Sequence, residues 1–268
     1  KKIAILVFVF IFAFLGSLRF ANADHSWGPY HWARTANPLT LKLGDNVSGL
    51  WDLALITTSN DWSLSSVLDT TIVSGLINPK NCRAKLSMVE VCNSKYGNNG
   101  WLGIAQIWIT GGEHITQGTT KLNDTYFNTP KYNTVAWRNL VMCQEVGHVF
   151  GLDHQDEIFD NPNLGTCMDY TNDPTGTAGT NGTLNNEHPN LHDYDQLGII
   201  YGHFDAFLSA FGKKSPAPAL AGDDIDTSDA KEWGKVIRKS SDGRSSLHER
   251  DLGKGNKIFT FVIWANQD

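Results

Sequence analysis

Apolar and polar residues alternate along much of the chain in the pattern of β-strands. Alternation or short β-branched runs predict five strands, at 39–44, 69–75, 85–93, 102–110 and 114–124. The stretch 102–110 is apolar throughout, which is typical of a strand buried on both faces. The stretch 114–124 is polar and rich in threonine, and we expect it to form an edge of the sheet.

Three segments follow the helical period of 3.6 residues instead, namely 47–63, 133–150 and 192–208. The predicted core face of the first helix consists of Leu50, Trp51, Leu53, Leu55 and Ile56. A long irregular loop separates the second helix from the third. The order strand, helix, strands, helix, loop, helix predicts an α+β fold built on one mixed sheet.

The C-terminal part of the chain differs in composition. Residues 204–230 have the composition of a linker, and 231–268 alternates well enough to form two or three strands. Turns are expected at Asp242-Gly243 and at 253–256. A separate small β-module and a hairpin packed against the main domain both fit this pattern.

The N-terminal residues 1–23 resemble a secretory signal peptide. Two lysines precede an apolar run at 3–18, and an Ala-Asn-Ala cleavage site lies at 21–23. A membrane anchor is the alternative, because the run is about as long as the shortest spanning helices. The loop-like stretch that follows favours cleavage. We therefore expect a secreted mature chain, extracellular or periplasmic, that starts at Asp24 and does not contact the membrane.

The composition limits the partners. The formal net charge is −6, and loss of the signal peptide makes it more negative by removing Lys1, Lys2 and Arg19. An acidic surface argues against nucleic acids and anionic membranes as partners. The four cysteines are an even number for an oxidising compartment and allow three pairings. Cys82 and Cys92 are ten residues apart, a separation that suits a disulfide between the two ends of a hairpin-like loop.

The segment QEVGHVFGLDH, at 144–154, combines residues that suit a metal centre. On a helix, residues 144 and 148 lie one turn apart on one face and can hold one ion. Glu145 is one position further round, where it can reach a metal-bound water. A glycine at 151 can end the helix sharply and let His154 return as a third ligand. An amphipathic core helix is the alternative, but chance is a poor explanation for a motif in which all of these residues occur together.

This string resembles the zinc-binding helix of the metzincin metallopeptidases, and its GLDH ending is most similar to the matrixin branch. TCMDY, at 166–170, resembles the methionine-containing turn of these enzymes, the Met-turn. DYDQLGIIYGH, at 193–203, is similar to the helix that closes a matrixin catalytic domain. The resemblance covers about 37–203. It implies a metzincin-like catalytic domain at 24–203, with a twisted mixed sheet, an active-site helix, a Met-turn and a C-terminal helix.

The resemblance also implies residue roles. Zinc would be bound by Gln144, His148 and His154. Glu145 would act as general base on a metal-activated water, and Tyr170 would help to hold the oxyanion.

Further expectations concern the surroundings of the metal. Met168 would form a hydrophobic floor beneath it. A Cys143–Cys167 disulfide would fasten the helix to the Met-turn and leave Cys82 to pair with Cys92. An extended peptide substrate would pair with the edge strand at 114–120, and we expect a monomer.

Gln144 departs from the family pattern, which has histidine there. An amide oxygen is a poorer zinc ligand than imidazole but can bind weakly. The third ligand could instead be Tyr170 or one of His114, His188 and His192, or the site could hold no metal. The sequence therefore predicts a secreted zinc-dependent endopeptidase. The alternative is an inactive protein of metzincin fold that binds peptides or proteins in the same cleft.

Calcium is a further candidate ligand, for the acidic loop at 156–195. The acids considered for it are Asp156, Asp160, Asp169, Asp173 and Asp193. Their spacing does not match an EF-hand, and solvated loop acids are the simpler reading.

Overall fold

The computed structural model of the 268-residue chain describes residues 25–177, 182–209 and 227–265. The predicted signal peptide and most of the predicted linker lie outside these ranges. Within the described ranges, no helix has both the length and the apolar character needed to cross a membrane.

Nine β-strands form the framework of the fold. Their bounds are His31–Trp32 (β1), Leu39–Asn46 (β2), Leu68–Ser74 (β3), Val89–Ser94 (β4), Trp101–Thr110 (β5), His114–Asn123 (β6), Lys235–Lys239 (β7), Ser245–Gly253 (β8) and Asn256–Trp264 (β9). The five strands predicted before the second helix correspond to β2 through β6. The largest boundary difference is at β4, which begins at Val89 because residues before it form a turn.

Four helices accompany the strands. They are Leu50–Trp62 (α1), Asp124–Phe127 (α2), Val135–Val149 (α3) and Leu191–Ile200 (α4). The Thr134 side chain accepts a hydrogen bond from the Trp137 amide and caps α3. Asn190 and Asp193 form a capping box at the start of α4. The predicted third helix was too long, since α4 ends before Tyr201, whose carbonyl accepts a hydrogen bond from the Arg34 side chain.

All nine strands belong to one mixed sheet, in the order β3-β2-β4-β6-β5-β9-β8-β7, with β1 paired to the start of β6. The strands β3, β2, β4 and β6 are parallel neighbours. From β6 onward, each strand in this order is antiparallel to the next. The prediction of an α+β fold on one mixed sheet is confirmed at this level.

The prediction that 114–124 forms the sheet edge is wrong. β6 lies inside the sheet, between β4 and β5. Its polar side chains are tolerated there because they find partners. Thr119 donates to the Gln106 side chain, and the buried Lys121 ammonium donates to the hydroxyls of Thr227 and Ser228. Two of these partners lie about a hundred residues away, so the local sequence could not reveal them.

The C-terminal strands β7, β8 and β9, here termed the C-terminal sheet, continue the main sheet. β9 pairs antiparallel with β5 along nearly its whole length, from Trp101–Trp264 to Ile109–Lys257. Its alternate residues Phe259, Phe261 and Ile263 belong to the main hydrophobic core. Of the two alternatives for this segment, the described structure therefore has the packed arrangement and not a separate module.

The predicted core face of α1 is only partly correct. Trp51 and Leu55 are buried as expected, but the buried face continues through Ser59 and leaves Leu50, Leu53 and Ile56 exposed. Ser59 turns inward because its hydroxyl lies 2.7 Å from that of Thr70 on β3. The inward face of this helix thus combines Trp51 and Trp62 with a polar pair.

Both predicted disulfides are present, and the described residues contain no free cysteine. Cys82–Cys92 closes the loop before β4. Cys143–Cys167 joins α3 to the turn at 166–170, with Cα atoms 5.9 Å apart. Two disulfides are compatible with an extracellular location.

Candidate metal centre

Two histidines meet where α3 ends. His148 lies in the last turn of the helix, and His154 returns after a sharp turn at Gly151. Gly151 has φ of 101°, a conformation that disfavours side chains, and a Cβ there would collide with the Tyr30 carbonyl. The Nε2 atoms of the two buried imidazoles are 3.0 Å apart. The structure thus brings the two predicted histidine ligands together.

The other ring nitrogens point away from the pair. His148 Nδ1 lies 2.9 Å from the Leu152 carbonyl, so Nδ1 carries the proton and Nε2 offers a lone pair. His154 Nδ1 lies 3.5 Å from a carboxylate oxygen of Glu157. Burial holds the pKa of His148 well below its usual value, and the neighbouring His154 adds to this effect. A neutral imidazole with a free Nε2 is the form that binds a metal ion.

Met168 packs directly against α3. A Cβ added at Gly147 would lie 2.5 Å from the Met168 sulfur and 2.8 Å from the Trp62 ring. The absence of a side chain at Gly147 therefore lets Met168 contact the helix backbone one residue before His148. This is where a hydrophobic floor under a metal would lie.

Gln144 is fastened to the turn that carries Met168. Its amide nitrogen donates to the carbonyls of Cys167, at 2.8 Å, and Asp169, at 3.3 Å. Its Oε1 atom is buried and has no hydrogen-bond partner among the described residues. An unpaired buried acceptor costs about 1–3 kcal/mol. This unpaired oxygen is the atom that Gln144 would use as a weak third ligand.

Glu145 points from α3 toward the sheet. Its carboxyl packs against Gly103 of β5, where an added Cβ would lie 2.5 Å from Oε1. Neither oxygen has a hydrogen-bond partner of good geometry among the described residues. Burial raises the pKa of Glu145 well above its usual value, and the Ala105 amide opposes this only in part. Burial in this closed arrangement favours the neutral carboxyl, so a base at this position requires access to water.

Tyr170 lies beside the histidine pair. Its ring is 4.4 Å from that of His154, edge to face. Burial raises the pKa of the phenol well above its usual value, so it remains a hydrogen-bond donor. A cavity of about 20 Å³ separates Tyr170 from Gln144 and is also lined by Leu102 and Ile263. It has room for about one water molecule and none for a peptide.

The C-terminal sheet covers this centre. The Phe261 ring on β9 stacks on the His148 imidazole, with centroids 4.0 Å apart and planes within 4° of parallel. On β7, the Arg238 guanidinium donates to both carboxylate oxygens of Asp153, and its Nε lies 3.2 Å from Glu157. The loop that carries His154 is thus tied to the C-terminal sheet.

The histidines considered as alternative ligands have partners elsewhere. His114 lies 3.1 Å from Asp205, His188 lies 2.6 Å from Asp61, and His192 stacks on His25. Of the alternatives, only Tyr170 contacts the pair.

The five acids considered for calcium serve other contacts. Each accepts hydrogen bonds from the acidic loop or its neighbours. Among the described residues, the groups with metal-ligand spacing are His31, His203 and Asp205, and Asp153, His154 and Glu157. None of the five acids belongs to either group.

The sequence reasoning missed two sets of residues. Phe261 and Arg238 carry no motif, and only the pairing of β9 with β5 brings them to the centre. His31, His203 and Asp205 come from segments 170 residues apart and have no mutual spacing that sequence could reveal. No protein-family model matches this chain, and no curated protein matches it closely enough to count as a relative.

Proposed function

We propose that this chain is a secreted zinc-dependent endopeptidase of metzincin type. The observation that carries the proposal is the pair of buried imidazoles with Nε2 atoms 3.0 Å apart, each with its other nitrogen directed to an oxygen. Gly151 makes the turn that brings His154 back, and Met168 packs under the helix. A metal ion held between the two imidazoles would account for these features together.

The donor set fits zinc, with Gln144, His148 and His154 as the residues that would hold it. Zinc bound there would polarise a substrate carbonyl and acidify water. Glu145 would take the proton of the attacking water once its carboxyl is ionised. The Tyr170 phenol would donate a hydrogen bond to the developing oxyanion.

The covered state of the centre constrains the proposal. Phe261 and Ile263 fill the space over His148 and Gln144, so an extended peptide can reach the centre only when β9 moves. Solvent that enters at that moment would also restore the charged form of Glu145.

A second candidate is an inactive protein of the same fold that binds peptides or proteins. The hydrogen bonds of Gln144 to Cys167 and Asp169 favour it, because they give this side chain a purely structural role. The two candidates differ in whether Glu145 matters for chemistry.

The test is zinc analysis and peptide hydrolysis by the mature chain and its Glu145→Gln variant. We expect unchanged zinc content in the variant and hydrolysis lowered by about 10²- to 10⁴-fold, because only the base is removed. Glu187→Gln is the matched control, since Glu187 lies on the loop and bonds Asn139. Full activity in the Glu145→Gln variant would exclude Glu145 as the base. No hydrolysis by the mature chain, together with zinc content that His148→Ala does not lower, would reject the peptidase in favour of the binding protein.

A further inference from the structure

Four side chains from separate parts of the chain meet at the start of β6. His31 on β1 is the register partner of His114, the first residue of β6. His203 and Asp205 follow α4 and reach the same place. We refer to these four residues as the histidine–aspartate cluster. It shares no residue with the centre on α3.

The ligand atoms of the cluster converge on one point. Asp205 Oδ1 lies 3.1 Å from His114 Nε2, 3.5 Å from His31 Nε2 and 3.6 Å from His203 Nε2. His31 Nε2 and His203 Nε2 are 3.2 Å apart. Ligands about 2.0–2.2 Å from a tetrahedral zinc ion are about 3.3–3.5 Å from each other. The four separations given above, from 3.1 to 3.6 Å, lie on both sides of this range.

Contacts behind the ligands fix their orientation. His31 Nδ1 lies 2.7 Å from the Pro29 carbonyl, which places the proton on Nδ1 and leaves Nε2 as a lone pair. The second oxygen of Asp205 accepts the Arg34 amide at 2.9 Å, so Oδ1 is aimed at the imidazoles. The Arg34 guanidinium turns away and donates to the Tyr201 carbonyl.

We propose that His31, His114, His203 and Asp205 form a second, structural zinc site. His31, His203 and Asp205 would supply three ligands, and His114, which contacts Asp205, would supply the fourth after a shift toward the other two imidazoles. Four protein ligands would leave no open position for substrate. The His31 and Asp205 side chains are largely buried, and the His203 ring is about half exposed, so an ion could enter from the side of His203.

The site would fasten three segments to one another. Beside the ligands, these segments are joined by the short β1–β6 pairing, by hydrogen bonds from the Asp205 and Ser209 amides to the Arg34 and Ala33 carbonyls, and by side-chain contacts with Tyr201. Zinc would stabilise the folded chain, because the unfolded chain cannot assemble ligands from such distant positions.

The test uses the mature chain, stripped with a chelator and reloaded with zinc, and the double variant His203→Ala/Asp205→Asn. We expect the double variant to bind one zinc ion fewer per chain. At a hundredfold excess of zinc over Kd, the zinc-dependent rise in Tm should fall by about 5–10 °C. Asparagine retains an acceptor for the Arg34 amide, and His203→Ala alone changes a half-exposed ring.

His192→Ala serves as the control, because this histidine stacks on His25 and belongs to neither centre. The cluster is a metal-free hydrogen-bonded group if the original chain and the double variant bind equal amounts of zinc with equal shifts in Tm. His148→Ala should leave the zinc of the cluster in place, which separates this site from the proposed catalytic centre.

A second inference rests on the proposed function and on a different observation, the pairing of β9 with β5. Because β6 is interior, the sheet edge beside α3 is that of β5, and β9 occupies it as an added antiparallel strand. We infer that the C-terminal sheet is an internal inhibitor that takes the place of an extended peptide. Phe261 closes the centre, and Arg238 holds the sheet to Asp153 and Glu157.

The rate at which a chelator extracts zinc from the α3 centre tests this closure without reference to activity. Phe261→Ala should speed extraction at least about tenfold, because the ring shields His148, whereas Val236→Ala on the exposed face of β7 should not change it. Hydrolysis should rise in the same Phe261→Ala variant. Equal extraction rates would reject the inhibitor, while faster extraction without any hydrolysis would instead reject the proposed function.

Discussion

The α3 centre and the histidine–aspartate cluster are built from similar ligands in different ways. The three ligands proposed for the α3 centre lie within 144–154, and helix geometry alone brings two of them together. The ligands of the cluster span 31–205 and meet only because β1 pairs with β6 and the segment after α4 folds back. A local motif can predict a site from the sequence. A site made from distant segments cannot be predicted from the spacing of its residues.

The two centres also differ in their surroundings. His148 is fully buried under Phe261, and the third ligand proposed there is an amide oxygen in place of an imidazole. The cluster has three imidazoles and a carboxylate, and its His203 ring is half exposed. We therefore expect the cluster to bind zinc more tightly and to exchange it more readily with solvent.

The largest effect should come from removing an imidazole of the α3 centre. His148→Ala should lower peptide hydrolysis by at least about a thousandfold, because several kcal/mol of transition-state stabilisation depend on the metal. Zinc in the cluster should stay. Metal content and kcat/KM of this variant are compared with those of His192→Ala. Retained hydrolysis in His148→Ala would place the chemistry elsewhere.

Gln144→His should make the two centres more alike. A third imidazole should strengthen zinc binding at the α3 centre by about tenfold or more, since imidazole is the better ligand. The metal-free protein should lose about 1–3 kcal/mol of unfolding free energy, because the carbonyls of Cys167 and Asp169 lose their donor.

Competition with a chromophoric chelator measures the affinity of this variant, and urea unfolding of the stripped protein measures its stability. Gln117→His, on β6, controls for an added surface imidazole. An unchanged affinity would show that residue 144 does not face the metal.

Gly147→Ala tests how tightly the floor of the α3 centre is packed. The new methyl group would lie 2.5 Å from the Met168 sulfur and 2.8 Å from Trp62. We expect a loss of about 1–3 kcal/mol in unfolding free energy from overpacking. Gly198→Ala on α4 is the matched control, since nothing lies within 4 Å of its added Cβ, and it should gain up to about 1 kcal/mol. Equal changes in unfolding free energy for the two variants would mean that Met168 and Trp62 can move aside without cost.

A further effect concerns pH. Burial above all, with a contribution from Asp156, raises the pKa of Asp169 from 3.8 to about 7. Between these values the folded state retains a proton that the unfolded state has lost, so unfolding free energy should decline as pH rises from about 4 to about 7. Asp169→Asn should flatten this decline. Denaturant melts across this pH range measure it, and parallel curves for both proteins would contradict it.

Several elements were readable from the sequence because their causes are local. The strands β2 to β5 follow from alternation and apolar runs, and the turn after α3 follows from Gly151, since glycine readily adopts the positive φ of 101° found there. The pairing of Cys143 with Cys167 followed from placing the turn at 166–170 under the helix. The resemblance to metzincins rests on the same short motifs.

Other elements depended on partners far along the chain. No local feature indicates that β6 is interior. Lys121 can be buried there because its ammonium donates hydrogen bonds to the distant Thr227 and Ser228. The burial of Ser59 on α1 depends on its partner Thr70 in the same way. From the sequence alone a polar side chain is predicted to be exposed, because its buried hydrogen-bond partner is not known.

The sequence by itself determined the α+β class, the two disulfides and the histidine pair of α3, because periodicity and ligand spacing act over a few residues. Only the tertiary structure decided that β9 covers this pair, that Gln144 holds the turn, and that His31, His114, His203 and Asp205 converge. These outcomes depend on the order of the strands in the sheet and on segments that fold back onto it. Both bring together residues that are far apart in the sequence, so the spacing of residues along the chain does not reveal the contacts.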